Sequence, residues 1–76
     1  MSQLNNRLKE LRARHGLTQE HLAKAVGVTR QTIVSIERGN YSPSVLLALR
    51  IARRLRVPLE EAFWMEDESD QEEARR

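Results

Sequence analysis

Arg30, Gln31, Thr32 and Ser35 fall close together in the middle of the chain, and all four side chains can hydrogen-bond. In the major groove of a nucleic-acid duplex, Arg matches guanine and Gln matches adenine through paired hydrogen bonds to the base edge. Ile33 and Ile36 interrupt the polar run at a spacing that puts both on one face of a helix. The polar residues then occupy the opposite face, three of them in the first helical turn. The N-terminus of such a helix carries unpaired N–H groups and partial positive charge, which suit a phosphate. Two plainer readings stand beside this one. The plainer role for Arg30 is a pure phosphate contact, since most protein–DNA hydrogen bonds go to the backbone. Val34 either meets a thymine methyl or only covers the side of the helix.

A helix can read a groove only if another element holds it at a steep angle. Thr18 is a good N-cap for a helix over Gln19–Ala25, on which Leu22, Ala23 and Val26 mark an apolar face. Gly27 stands where that helix must stop and reverse, because glycine takes the left-handed conformation cheaply. Val28 enters the core, Thr29 caps a second helix from Arg30 to about Arg38, and Gly39 ends it. Two short helices joined by a glycine-containing turn are a helix-turn-helix, whose second helix enters the major groove by its N-terminal end.

The run GLTQEHLAKAVGVTRQTIVSIERGNYSPS resembles the signature of the Cro/C1-type (Xre) helix-turn-helix family. Its LTQ entry, its turn glycine, its RQTI recognition helix and its E-x-G exit carry the likeness, which covers about Leu8 to Phe63. Within that family the chain is most similar to small dimeric single-domain repressors, whose NYSPS-type loop and PLEE-type last helix are alike. The resemblance implies an all-α, five-helix, lambda-repressor-like DNA-binding domain. It also implies a short two-stranded pairing, about Ser2–Leu4 against Trp64–Glu66. It implies an Arg12–Glu37 ion pair between the first helix and the end of the recognition helix. Gln19 is implied to touch both the DNA backbone and the recognition helix, with Thr29, Arg38, Asn40, Tyr41 and Ser42 as further backbone contacts. The bland reading of Asn40 and Ser42 is turn chemistry, which is compatible with that role. His21 stands where the family often has Glu, so the capping box of the second helix is expected to be missing and His21 to be a solvated surface residue.

The rest of the chain reads as support. Asn5 or Asn6 can cap a first helix to about His15, with Leu8 and Leu11 buried, Leu17 following in the core and Gly16 as the stop. Arg7, Lys9, Arg12 and Arg14 lie on or beside its polar face. Ser42-Pro43-Ser44 starts a fourth helix to about Arg56, with a Ser cap and Pro tolerated in the first turn, and its expected core stripe is Val45, Ala48, Leu49, Ala52 and Leu55. Leu46, Leu47 and Ile51 are then in excess, and with Trp64 and Met65 they are expected to form a dimer interface, where aromatic and Met residues are favoured. The alternative is that Phe63 closes the core and Trp64 lies on the surface. A short last helix is expected over Leu59–Phe63, with Glu60 and Glu61 complementing its dipole.

Seventy-six residues make one domain with a limited core, so a helical bundle with short loops is the economical solution. Residues 1–56 contain 11 Lys and Arg against 3 Asp and Glu, a net of +8, whereas residues 57–76 contain 2 against 8, a net of −6. A basic body suits a nucleic-acid partner. The domain is expected over residues 1–65, and residues 66–76 read as an acidic, disordered tail, either solubilising or competing with phosphate.

There is no cysteine, and therefore no disulfide or thiolate metal site. No apolar run approaches a membrane span and the N-terminus lacks a signal peptide's apolar core, which fits the cytoplasm. His15 and His21 have no Ser or Asp constellation and no glycine-rich phosphate loop occurs, so an enzyme is poorly supported. No cofactor, metal or small-molecule ligand is indicated. The expected function is a sequence-specific DNA-binding transcriptional regulator, a repressor acting as a homodimer on a palindromic operator. The competing class is an antitoxin-like module that uses the same domain to cover a protein partner.

Overall fold

The computed structural model describes residues 3–66. Its elements are β1 (Gln3–Asn6), α1 (Leu8–Arg14), α2 (Gln19–Val26), α3 (Arg30–Glu37), α4 (Val45–Arg54), α5 (Leu59–Ala62) and β2 (Phe63–Glu66). The fold is five helices with one small antiparallel ribbon. Residues 67–76 of the expected tail lie outside the described residues. Its first member, Glu66, belongs to β2.

Local chemistry accounts for where the helices start. The Thr18 hydroxyl accepts from His21 N–H at 3.0 Å, the Thr29 hydroxyl from Thr32 N–H at 3.3 Å and the Ser44 hydroxyl from Leu47 N–H at 3.1 Å. Each occupies one of the backbone donors that a helix N-terminus leaves unpaired. The expected loss of the α2 capping box is corrected here. His21 Nδ1 accepts from Thr18 N–H at 3.4 Å, so the imidazole takes the place of the usual carboxylate and the box is complete. The start of α4 is also corrected: Pro43 is not in its first turn, the cap is Ser44, and Ser42 and Pro43 both lie ahead of the helix.

The helices also end alike. In each of α1 to α4 the chain turns through one residue of positive φ, and the next N–H bonds to a carbonyl five residues back: Leu17 to Arg12, Val28 to Ala23, Asn40 to Ser35 and Val57 to Ala52. This is the Schellman closure. Three of the turning residues are glycines, with φ of 66°, 84° and 80°; the fourth is Arg56 at 61°. Leu17, Val28 and Val57, which follow three of these turns, pack against the core.

The core gathers Leu8 and Leu11 of α1, Leu22, Ala23 and Val26 of α2, Ile33 and Ile36 of α3, the inner face of α4, then Leu55, Ala62 and Phe63. On α4 that inner face is Leu47, Ala48, Ile51 and Ala52. The expected stripe was therefore rotated. Val45 and Leu49 are 73% and 48% exposed, while Leu47 and Ile51, assigned to a dimer surface, are 8% and 0% exposed. Residues 45–49 of α4 are all apolar, so period alone cannot choose a face. The choice is made by α2 and α5, against which α4 packs.

The ribbon is the pairing implied by the family resemblance, extended by Asn5 and Asn6 on the N-terminal strand and by Phe63 on the other; Ser2, where the pairing was expected to begin, lies outside the described residues. Gln3 lies opposite Glu66, Leu4 opposite Met65, Asn5 opposite Trp64 and Asn6 opposite Phe63. The β conformation at Phe63 ends α5 one residue earlier than expected. Phe63 closes the core, as one of the two readings held.

Candidate nucleic-acid interface

The end of α3 is fixed from three sides. Arg12 Nε and Nη2 donate to the two carboxylate oxygens of Glu37 at 2.6 and 3.1 Å, and Gln19 Nε2 adds a third donor to Glu37 Oε1 at 3.1 Å. Arg12 Nη1 continues to the Leu17 carbonyl at 3.0 Å. The Arg12 and Glu37 side chains are only 13% and 10% exposed, so this is a shielded, bidentate pair, with one further donor used on the Leu17 carbonyl. Asn6 supplies another tie: its Oδ1 accepts from Leu8 N–H at 3.1 Å and its Nδ2 donates to the Ile36 carbonyl at 3.0 Å. One amide side chain thus starts α1 and satisfies a carbonyl at the end of α3. The sequence leaves Asn5 or Asn6 as the cap of α1; the cap position is Arg7, which makes no side-chain cap bond, while Asn6 takes the Leu8 N–H from one residue earlier. Nothing in the sequence shows the bond to Ile36.

The start of α3 is open by contrast. Arg30 and Gln31 are exposed, and Thr32, Val34 and Ser35 are half-buried. Successive helical residues point about 100° apart, so Arg30 and Gln31 diverge to opposite flanks. On one flank Gln31, Thr32 and Ser35 join Thr29, Asn40 and Tyr41 around a cleft of about 280 Å³. On the other, Arg30 and Arg38 line a wider groove of about 540 Å³ with Gln19 and residues of α1. The structure therefore brings together most of the residues singled out from the sequence, but divides them into two banks beside one helix. Ser42 is exposed in the loop and lines neither cleft. The Thr29 and Thr32 hydroxyls lie 3.1 Å apart and share a hydrogen bond.

Donors, acceptors and cations on an exposed helix N-terminus, with the rest of the helix anchored, make a surface able to enter a duplex groove. The helix-turn-helix family model matches residues 8–61. The chain belongs to the Xre/Cro-C1-type helix-turn-helix family of DNA-binding transcriptional regulators. It is 52% identical over 66 residues to YgzD of Bacillus subtilis, an uncharacterised HTH-type transcriptional regulator, covering 87% of this chain and 100% of that one. It is 30% identical over 57 residues to the cryptic phage CTXphi transcriptional repressor RstR of Vibrio cholerae, covering 75% of this chain and 51% of that one. Among solved structures it is similar to the restriction-modification controller protein C.AhdI of Aeromonas hydrophila. That match has a TM-score of 0.67 and 37% identity, and covers 71% of this chain and 82% of the other.

The residues assigned to a dimer surface fare unevenly. Leu47 and Ile51 are core, as described above. Leu46 and Met65 are each 59% exposed, and Val45 and Leu49 join Leu46 on the outer face of α4. Trp64 is half-buried, with the Arg7 guanidinium 4.8 Å from its ring centre. Alternate residues of a strand face opposite ways, so Trp64 and Met65 do not share one surface. Among the described residues no helix is long and apolar enough to cross a membrane, and no His, Cys, Asp and Glu group could hold a metal.

Proposed function

We propose that this regulator is a repressor that binds a palindromic operator as a homodimer. The observation that carries the reading is the exposed start of α3 on a helix whose far end is held by Arg12, Gln19 and Asn6. Arg30 and Gln31 read base edges, and Thr32 and Ser35 add contacts on the Gln31 side. Gln19, Thr29, Arg38, Asn40, Tyr41 and Ser42 hold the flanking phosphates, which set register without reading sequence. Two copies related by a two-fold axis present two recognition helices to successive major grooves, about 34 Å apart.

The outer face of α4 supports self-association. Val45, Leu46 and Leu49 form an exposed apolar strip, and a groove of about 500 Å³ runs beside Leu46 and Leu49 to Val57 and Leu59 of the α5 region. Repression follows when the operator overlaps a promoter, and the similarity to a named phage repressor supports that direction over activation.

Selection from random duplex DNA, with sequencing of the bound pool, tests the proposal. A two-fold-symmetric consensus is expected, together with a dimer mass by analytical ultracentrifugation. A folded protein that enriches no sequence and sediments as a monomer would overturn the proposal and favour a module that covers another protein.

A further inference from the structure

Arg7 stands at the junction of β1 and α1, outside every role described above. Its backbone N–H donates to the Ala62 carbonyl at 3.1 Å, and its guanidinium lies over the Trp64 ring at 4.8 Å to the centroid. Its Nε is buried without a hydrogen-bond partner among the described residues. A guanidinium with five donors is rarely left so. The side chain borders the wider groove beside α3, where Lys9, Arg30 and Arg38 also lie. The carboxylate in that groove, Glu37, is already engaged by Arg12 and Gln19. None of Arg7, Lys9, Arg30 and Arg38 forms an ion pair among the described residues.

From these contacts we infer that Arg7, Lys9 and Arg38 form an anion site for neighbouring backbone phosphates of bound DNA, one to each cation, on the α1 side of the recognition helix. Trp64 is the positioning residue. Its ring holds the Arg7 guanidinium by a cation–π contact, so little side-chain freedom is lost when the phosphate arrives. The site contacts no base, and it acts on every sequence alike. Its location rests on the proposal that α3 enters the groove, since only then does a strand pass this face of the molecule.

The experiment is the salt dependence of duplex binding, for the selected operator and for an unrelated duplex, between 50 and 200 mM salt. Each phosphate neutralised contributes about 0.9 to the slope of log affinity against log salt. Arg7→Gln and Lys9→Gln are each expected to lower that slope by about 0.9 on both duplexes. Over this fourfold salt range the parent's loss of affinity then shrinks roughly threefold for each cation removed. Lys9 is exposed, so Lys9→Gln retains the fold if Arg7→Gln does not. Trp64→Leu keeps every charge and is expected to weaken both complexes severalfold with the slope unchanged, and Trp64→Phe to restore most of the loss. Slopes equal to the parent's in both Gln variants overturn the site, even if the operator is found. The reduced slopes appearing on both duplexes without any operator enrichment would remove the operator reading and leave the phosphate site standing.

Discussion

Arg12 on α1 and Glu37 at the end of α3, 25 positions apart, meet through two hydrogen bonds of 2.6 and 3.1 Å in a largely shielded setting. The pair ties the last turn of α1 to the end of α3. Deleting one partner strands a charge. Glu37→Ala is expected to cost about 3 kcal/mol, measured by urea denaturation, whereas Arg12→Met combined with Glu37→Leu recovers most of that loss. A domain of this size has only about 4–11 kcal/mol in total, so the single variant should melt visibly earlier. A Glu37→Ala protein as stable as the parent would show that the pair is not what anchors α3.

Gln31 and Arg30 should separate sequence reading from backbone binding. Gln31→Ala is expected to lose about 1–3 kcal/mol of discrimination at one base pair of each half-site while keeping its affinity for unrelated DNA. Tyr41→Ala, in the cleft wall, is expected to weaken all duplexes to a similar degree. The check is titration against the selected operator and single-base variants of it. An unaltered preference in Gln31→Ala would remove this residue from the reading surface.

Arg56 performs a glycine's task. Its φ of 61° closes α4 in the same way that Gly16, Gly27 and Gly39 close the preceding helices. A side chain in that conformation carries a steric penalty of roughly 1–2 kcal/mol, partly offset in glycine by a freer unfolded chain. Arg56→Gly is therefore expected to stabilise the domain by about 0.5–1 kcal/mol, raising Tm by a few degrees. Gly27→Ala is expected to destabilise by about 1 kcal/mol. Nothing lies within 4 Å of the added Cβ, so the backbone alone sets that cost.

The two faces of α4 should respond to substitution in opposite ways. Leu46→Glu and Leu49→Glu alter exposed positions and are expected to leave helical circular dichroism and Tm nearly unchanged while shifting the sedimenting species to monomer. Ile51→Ala empties a fully buried site and is expected to cost about 2–5 kcal/mol with no direct effect on association. A Leu49→Glu protein that remains a dimer would move the proposed interface elsewhere on the surface.

Most of what is local can be read from adjacent residues. Thr18 and Thr29 start their helices because a hydroxyl can reach an N–H three residues ahead, and the three glycines stop theirs because a positive φ is cheap there. Family likeness supplied the Arg12–Glu37 pair, the Gln19 contact and the ribbon. Tertiary structure decided whatever depended on a partner distant along the chain. The buried face of α4 was one such choice, since residues 45–49 are all apolar and a helix rotated by one position satisfies the same period. The second use of Asn6, on a carbonyl 30 residues away, was another. So was the stacking of Arg7 on Trp64, which exists only because the antiparallel ribbon brings the two ends of the domain side by side. Threonine caps and glycine stops are satisfied within one helical turn, so they can be read from neighbours, whereas the His21 box and the stop at Arg56 use residues whose types do not announce the role; a packing face or a stacked ring takes its meaning from whatever the fold lays against it.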